Sequence, residues 1–317
     1  MVEIHRACTI AICQRLGAFA AQVAVFAFAI AGVRADEIIK LNHQGVERTA
    51  ILYQPAGATR PAPLVIALQG FGQSTEQLRD TLKLDAVAER EGFAVLYPDA
   101  LEHSWSYGRP INQPMPTVGG ETVDDIGFTR ALIDELVSRK AVDPARVYVT
   151  GMSRGGLMAF TLACALADKI AAAAALITGM TDVQREDCRP TRPVPIMVLA
   201  GTNDWTQSYD GWLMAMGRLL SVPETMEFWR TLHGCTKQQQ KMLPHRDNRD
   251  RTRVILVEWD NCKSAARLRL YRVNGGGHQL PSLTVIADAQ SEQRWGLRSR
   301  DVETAEEIWA YVKDYAR

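Results

Sequence analysis

The chain has 317 residues, and 47% of them are apolar, which is enough for one sizeable hydrophobic core. Its 36 Lys and Arg residues balance 36 Asp and Glu residues. This balance gives no sign of a nucleic-acid partner or of an unusually acidic substrate, and the composition is that of an ordinary globular protein.

The N-terminal segment 1–35 has the pattern of a secretory signal peptide. Two arginines precede a run of apolar and small residues over 16–33, and the small residues Val33 and Ala35 suit a cleavage site. We therefore expect a mature chain that starts near Asp36 and is secreted or periplasmic, with no stable membrane anchor. A membrane anchor is the alternative, since the run is about as long as a short span, but its Ala and Gly content makes it only mildly apolar.

Short apolar runs alternate with longer helical patterns along the rest of the chain. The predicted strands are 50–53, 64–68, 93–97, 146–149, 170–177, 196–199 and 267–273. The predicted helices are 75–91, 123–139 and a last one that starts near Asp301 as its N-cap. The polar segment 236–253 is interpreted as a surface excursion. This alternation predicts a mostly parallel central sheet with helices on both faces, and we expect 36–317 to form a single three-layer α/β domain.

Export would place the four cysteines of the mature chain in an oxidising compartment, where disulfides form. Four cysteines allow three pairings, and we favour the two between neighbours in sequence, Cys164–Cys188 and Cys235–Cys262. Free buried thiols are an alternative for either pair. Metal binding is another, but the chain has no Cys-x-x-Cys or His-x-x-x-His spacing, so we expect no metal and no cofactor.

The segment 148–159 joins an apolar strand, the pattern Gly-x-Ser-x-Gly around Ser153, and a helix-forming run. Glycines at 151 and 155 allow a strand-to-helix turn that is too tight for side chains, and this turn lifts the Ser153 hydroxyl to a helix N-terminus. A Ser-x-Gly match alone is weak evidence. With the strand before it and the helix after it, the pattern is typical of the nucleophile of an α/β-hydrolase fold. An inert serine in a structural turn is the alternative.

A catalytic serine needs a base to take its proton, and the base needs an acid to orient it. In this fold both partners follow the serine, each on a loop after a later strand. Asp204 directly follows the strand 196–199, and His278 follows the strand 267–273 across three glycines, so we predict them as acid and base. Asp210 is a competing acid, but it lies six residues further along the chain than Asp204.

The oxyanion hole needs two backbone N–H groups where negative charge develops. One is expected from Arg154, directly after the nucleophile, and the other from the Phe71 N–H in the glycine-containing loop 68–73. Trp105 and Tyr107 lie on a loop after a strand and are candidates for the acyl or aromatic subsite. Simple loop packing is the alternative for both.

Six further segments share one family pattern, and they are 63–70, 91–99 with the following Ser-Trp, 123–128, 142–148, 201–204 and 275–278. Together they resemble the secreted esterase family that includes polyhydroxybutyrate depolymerases, feruloyl esterases and related acetyl xylan esterases. The resemblance runs over nearly the whole mature length. It implies Ser153, Asp204 and His278 as the catalytic triad and a disulfide between Cys235 and Cys262.

Three sites depart from the pattern of this family. Gln69 replaces the usual His before the oxyanion glycine, and we expect its amide to brace that loop and to belong to the substrate-binding residues. Arg154 replaces a small residue or an amide, and it either favours substrates with a carboxylate or pairs with an acid such as Asp99. Gln279 and Leu280 replace Thr and Trp after the catalytic histidine, and we expect the loss of the tryptophan to alter the substrate-facing wall.

The sequence therefore predicts an exported serine esterase that hydrolyses carboxylic esters through an acyl-enzyme. Polyhydroxybutyrate or short oligoesters, feruloyl esters and acetyl esters are all candidate substrates. One alternative is an exported peptidase of the same fold. Another is a non-catalytic binding protein that kept the fold, although such proteins typically lose a member of the triad.

Overall fold

The structure is a computed structural model that describes residues 36–108, 115–214 and 217–317. The predicted signal peptide lies outside these described residues. The described residues cluster into one compact unit. None of the helices within them is long and apolar enough to cross a bilayer.

The described chain contains fourteen strands, and we number them in chain order. They are β1 (Glu37–His43), β2 (Val46–Tyr53), β3 (Ala62–Leu68), β4 (Ala94–Pro98), β5 (Thr117–Val118), β6 (Glu121–Thr122), β7 (Val142–Met152), β8 (Ala172–Leu176), β9 (Ile196–Gly201), β10 (Trp212–Met214), β11 (Gly217–Leu219), β12 (Lys237–Met242), β13 (Arg253–Asp260) and β14 (Leu268–Asn274). Ten of them form one sheet in the order β1-β2-β4-β3-β7-β8-β9-β14-β13-β12, and the other four form two small hairpins.

The same residues contain eight α-helices. They are α1 (Thr75–Leu82), α2 (Leu84–Glu91), α3 (Asp125–Ser138), α4 (Arg154–Ala165), α5 (Asp182–Asp187), α6 (Val222–His233), α7 (Ala289–Trp295) and α8 (Thr304–Val312). The longest, α3, begins where the Asp124 carboxylate accepts a hydrogen bond from the Gly127 N–H at 2.8 Å.

Two hydrophobic cores lie on opposite faces of the sheet. Along β3, Leu64, Ile66 and Leu68 point into the core that α3, α4 and α6 cover, whereas Val65 and Ala67 point into the core that α1, α2 and α8 cover. This alternation is the two-residue period of a strand that is buried on both sides, and all seven residues of β3 are buried. The predicted three-layer α/β fold is thereby confirmed.

The centre of the sheet is parallel and its edges are antiparallel. Strands β4, β3, β7, β8, β9 and β14 pair in parallel, and the pairs β1–β2, β2–β4, β13–β14 and β12–β13 are antiparallel. The carboxyl ends of parallel strands meet at one edge of a sheet, which is where open α/β sheets bind ligands. The loops that follow β3, β7, β9 and β14 therefore come together at that edge.

The predicted helix over 75–91 is in fact two helices that meet at Lys83. Lys83 has a left-handed backbone with φ of 54°, and its N–H caps α1 by donating to the Arg79 carbonyl. Leu82 and Leu84 are both buried. In one continuous helix they would lie about 200° apart around the axis, so the break at Lys83 lets both face the core.

One prediction in the C-terminal third was wrong, and another was incomplete. The polar segment 236–253 does lie at the surface, but it also supplies the strand β12, whose exposed Lys and Gln side chains suit the edge of a sheet. Asp301 does not cap the last helix, which begins at Thr304. Its carboxylate instead accepts hydrogen bonds from the His245 ring and the Arg246 N–H, each at 3.0 Å.

Both predicted cysteine pairs form disulfides. Cys164 in α4 is bonded to Cys188, which caps the C-terminus of α5. Cys235 follows α6 and is bonded to Cys262, which follows β13. Each bond therefore ties a helix to a neighbouring segment on the same side of the sheet as α4 and α6.

Candidate active site

Ser153 lies in the turn between β7 and α4, at the carboxyl edge of the sheet. Its φ of 54° and ψ of −119° form a conformation that is rare for a residue with a side chain. The flanking glycines are required by close backbone contacts. A Cβ on Gly151 would lie 2.2 Å from the carbonyl oxygen of Gly155, and one on Gly155 would lie 2.2 Å from that of Leu68. The turn thereby makes Ser153 the N-cap residue of α4.

Asp204 and His278 meet on the loops that follow β9 and β14. Oδ2 of Asp204 lies 2.6 Å from Nδ1 of His278. Oδ1 of Asp204 accepts hydrogen bonds from the backbone N–H groups of Thr206 and Gln207, both at 2.8 Å. The side chains of Asp204 and His278 are 1% and 8% exposed. A buried carboxylate on Nδ1 fixes the imidazole so that Nε2 is the nitrogen available for proton transfer.

One cavity of about 380 Å³ places Ser153 and His278 on its walls. Its lining residues are Gly70, Phe71, Gln73, Thr81, Met152, Ser153, Thr206, His278, Gln279, Leu280, Ser291, Trp295 and Arg298. Asp210, the competing acid, is exposed, and within the described chain the His278 ring bonds to Asp204 instead. A larger groove of about 610 Å³ runs along α6, but its lining contains no serine, histidine or cysteine.

The loop after β3 packs against the nucleophile. A Cβ on Gly70 would lie 3.6 Å from the Cβ of Ser153, which is an ordinary van der Waals distance. The Gly70 N–H donates to Oε1 of Gln73, and the Gly72 N–H donates to the carbonyl of His103 at 3.0 Å. Phe71 lies between these two anchored residues and lines the cavity.

Two residues that the sequence suggested as substrate-binding lie beneath this loop and not in the cavity. Gln69 is fully buried, and its Nε2 donates to the carbonyl of Gln73 at 2.6 Å while its Oε1 accepts from the Thr75 hydroxyl at 3.4 Å. Trp105 is also fully buried, and its indole N–H donates to the Gln69 carbonyl at 3.0 Å. Both side chains therefore support the loop after β3 from within the core.

The side chain of Arg154 is buried behind the cavity. Its guanidinium donates to the hydroxyl of Ser104 and lies 4.3 Å from the ring centroid of Phe71 and 5.7 Å from that of Tyr107. Burial lowers the pKa of Arg154 from its ordinary value. Asp99, suggested above as an ion-pair partner, accepts hydrogen bonds from two threonine hydroxyls instead.

The two remaining candidates for substrate binding lie in different cavities. Leu280 lines the cavity that contains Ser153 and is 2% exposed. Tyr107 lines a second cavity of about 350 Å³ beside the Cys164–Cys188 disulfide, and burial raises its pKa. The structure thus brings Leu280, but not Tyr107, to the wall that faces Ser153.

The sequence reasoning missed an aromatic pair beside His278. Trp295 lines the cavity, and its ring centroid lies 6.0 Å from that of His278. Its indole is nearly parallel to that of Trp205, with centroids 6.4 Å apart and an angle of 9° between the planes. The position of Trp205 directly after Asp204 was the available signal. Nothing in the polar sequence around Trp295 pointed to it.

One group of side chains within the described residues is of the types that can bind a metal ion. His245, Asp250 and Asp301 each bring a ligand atom within 4.8 Å of the others. Asp250 already accepts hydrogen bonds from the Thr252 and Arg300 N–H groups, and Asp301 accepts one from His245. Among the described residues, Nε2 of His245 and Oδ2 of Asp301 are buried and have no hydrogen-bond partner, and none of the three residues lines the cavity that contains Ser153.

The known proteins that this chain is similar to include esterases. Residues 48–187 match the family model described as Esterase PHB depolymerase. Feruloyl esterase B from Piromyces equi is 31% identical over 244 residues, covering 73% of this chain and 42% of that protein. A protein named as a candidate esterase, NocK, from Nocardia uniformis subsp. tsuyamanensis is 30% identical over 234 residues, covering 70% of this chain and 66% of its own length.

The chain thus spans between about two fifths and two thirds of the length of these two relatives. Among solved structures, a thermostable esterase superposes with a TM-score of 0.57 at 16% identity, covering 89% of this chain and 63% of that one. At that identity the superposition shows a shared fold. Through residues 48–187, the chain belongs to the esterase family of the polyhydroxybutyrate depolymerases.

Proposed function

We propose that this protein is a serine esterase that hydrolyses carboxylic esters with Ser153 as nucleophile, His278 as base and Asp204 as orienting acid. The observation that carries the proposal is the buried Asp204–His278 pair, 2.6 Å apart, on the same cavity as Ser153. Each of the three residues follows its own parallel strand. A serine whose backbone is held in a rare conformation beside an oriented imidazole is the arrangement that nucleophilic acyl transfer requires.

The reaction proceeds in two acyl-transfer steps. His278 takes the hydroxyl proton of Ser153 as Oγ attacks the ester carbonyl, and the N–H groups of Phe71 and Arg154 stabilise the oxyanion. The tetrahedral intermediate collapses, and His278 gives the proton to the leaving alcohol. Water then attacks the acyl-enzyme while His278 takes its proton, and collapse of the second intermediate returns that proton to Ser153 and releases the acid.

The proposed substrates are small esters or the terminal units of oligoesters. A cavity of about 380 Å³ lies within the size range of small-molecule sites. The family description and the name of the Piromyces relative point to hydroxyalkanoate and feruloyl esters as the first compounds to test. Export is part of the proposal, and the two disulfides support it because such bonds persist in oxidising compartments.

The test is turnover of p-nitrophenyl acetate by the Ser153→Ala variant. We expect a loss of at least ~10,000-fold in kcat, with far-UV and near-UV circular dichroism unchanged. Ser138→Ala is a matched control, since Ser138 is an exposed serine at the end of α3, and we expect turnover within about 2-fold of wild type. Near-normal turnover by Ser153→Ala would contradict the proposal. The corresponding p-nitroanilide distinguishes an esterase from a peptidase of the same fold.

A further inference from the structure

A guanidinium without an acidic partner lines the catalytic cavity. Arg298 is one of the lining residues, and its Nε donates to Oε1 of Gln279 at 3.1 Å. Its Nη1 is buried and has no hydrogen-bond partner among the described residues. In the same part of the chain, the Nε–H is the only one of its five N–H donors that has an acceptor. Arg298 as a whole is partly buried, and a cation in this state is costly unless a ligand completes its bonding.

Glu303 is the acidic residue whose charge acts on Arg298, but its carboxylate is hydrogen-bonded to other groups. Its carboxylate accepts hydrogen bonds from the hydroxyl of Ser282 and from the N–H of Leu283. Burial lowers the pKa of Arg298, although a guanidinium remains protonated at neutral pH. The cavity that contains Ser153 therefore carries a positive charge that the described protein does not neutralise.

Gln279 fixes this charge beside the catalytic histidine. It directly follows His278, and its Nε2 donates to the carbonyl of Gly296 while its Oε1 accepts from Arg298. The amide therefore ties the guanidinium to the same wall that presents the imidazole. Gln279 and Leu280 stand where the family usually has Thr and Trp, so the residue that holds Arg298 is itself one of the departures from the family pattern.

Arg154 does not have this geometry, although the sequence suggested it for the recognition of acidic substrates. Its guanidinium is used by the Ser104 hydroxyl and by the faces of two aromatic rings, and it is not among the residues that line the cavity. Arg298, in contrast, lines the cavity and has N–H donors that lack acceptors among the described residues. A planar guanidinium of this kind suits a carboxylate, which can accept two parallel hydrogen bonds.

We propose that Arg298 binds a free carboxylate of the substrate, and that the preferred substrates are esters that carry such a carboxylate. Two substrate classes supply this chemistry. In half-esters of dicarboxylic acids the carboxylate belongs to the acyl part, and in oligoesters of hydroxy acids it belongs to the leaving alcohol unit. The inference rests on the proposed esterase function, because it concerns the same cavity.

Matched pairs of esters test the inference and separate the two classes. The first pair is mono-p-nitrophenyl glutarate and p-nitrophenyl pentanoate, which have the same acyl chain length and differ in the terminal carboxylate. The second pair is the linear dimer of 3-hydroxybutyrate and the same dimer with its carboxylate blocked as an amide. The measured quantity is the ratio of kcat/KM for the anionic ester to kcat/KM for its neutral partner, in wild type and in Arg298→Gln.

We expect Arg298→Gln to lower this ratio about 10- to 100-fold for at least one pair, as for the loss of a hydrogen bond to a charged group. Arg298→Lys should restore part of the ratio because it keeps the charge but loses the bidentate geometry. Arg294→Gln is the matched control. It removes one positive charge from an exposed position next to Trp295 that does not line the cavity, and we expect the ratio to stay within about 2-fold of wild type.

Three results would overturn the inference. They are an Arg298→Gln ratio within about 2-fold of wild type for both pairs, an equal fall in Arg294→Gln, and a wild-type enzyme that prefers the neutral ester of both pairs. Thermal unfolding of each variant verifies that it is folded, and turnover of the neutral esters verifies that the triad works. A wild-type protein that hydrolyses none of the four esters would instead contradict the proposed function.

Discussion

The two sides of the catalytic cavity are built in different ways. The nucleophile wall, formed by Gly70–Gln73 and Met152–Ser153, belongs to loops that directly follow β3 and β7 in the middle of the parallel sheet. The facing wall, formed by His278–Leu280, Ser291, Trp295 and Arg298, belongs to the segment that follows β14 and includes the short helix α7.

This difference separates chemistry from selectivity. A Cβ on Gly151 or Gly155, which flank the nucleophile wall, would lie 2.2 Å from a backbone carbonyl oxygen, so these positions leave almost no freedom of residue type. The facing wall has one such contact too, since a Cβ on Gly277 would lie 2.1 Å from the carbonyl oxygen of Trp295. Its surface, however, is set by the side chains of Leu280, Trp295 and Arg298, which a substrate in the cavity would meet. We conclude that the nucleophile wall supplies the reaction of the family and that the facing wall adapts it to a particular ester.

The largest expected effect concerns the hydrogen bond between Asp204 and His278. Asp204→Asn should lower kcat for p-nitrophenyl acetate about 1,000- to 10,000-fold, because an amide at this position favours the wrong tautomer of His278. Asp210→Asn is the matched control on the same loop, and we expect kcat within about 2-fold of wild type since Asp210 is exposed. Equal losses in the two variants would show that the loop, and not the Asp204–His278 bond, is what matters.

A smaller effect is expected from the backbone of the nucleophile wall. In Gly155→Ala the new Cβ would lie 2.2 Å from the carbonyl oxygen of Leu68, so α4 must move away from the loop after β3. We expect the free energy of unfolding in urea to fall by about 1 to 3 kcal/mol, together with a loss of kcat. Gly57→Ala, which has no atom within 4 Å of its new Cβ, should change neither. Full stability and activity in Gly155→Ala would contradict the close packing of this wall.

The smallest effect is expected on the facing wall. Trp295→Ala should raise KM for an aromatic ester such as methyl ferulate about 2- to 10-fold, because it removes one face of the cavity and the stacking on Trp205. We expect kcat to change less than KM, since the triad is untouched. Trp212→Ala, a partly exposed tryptophan outside the cavity, is the control. A fall in kcat with KM unchanged would place Trp295 in the chemistry and not in binding.

The same division explains what the sequence could predict. The strand–helix alternation and the buried runs were sufficient for the parallel centre of the sheet, because each strand there is apolar on both faces. Ser153, Asp204 and His278 could be proposed because each comes directly after one of these strands. The cysteine pairs were accessible for a similar reason, since only three pairings had to be considered.

The errors fall where long-range contacts override local pattern. The strand β12 has no apolar residue that signals a strand, and only its pairing with β13 creates it. The break at Lys83 follows from the burial of leucines on both sides of it, which a periodic helical pattern conceals. Two residues of the facing wall, Trp295 and Arg298, were missed because they lie about 20 residues beyond His278 and reach the cavity through tertiary folding.

The most direct test of the central claim is covalent labelling of the mature chain with a fluorophosphonate, followed by peptide mass spectrometry. An activated serine reacts with this reagent, whereas an inert one does not. We predict one adduct per chain, on the peptide that contains Ser153, and an adduct that forms far more slowly in Asp204→Asn. Esterase activity that persists without an adduct on Ser153, or with an adduct on another serine, would contradict the account.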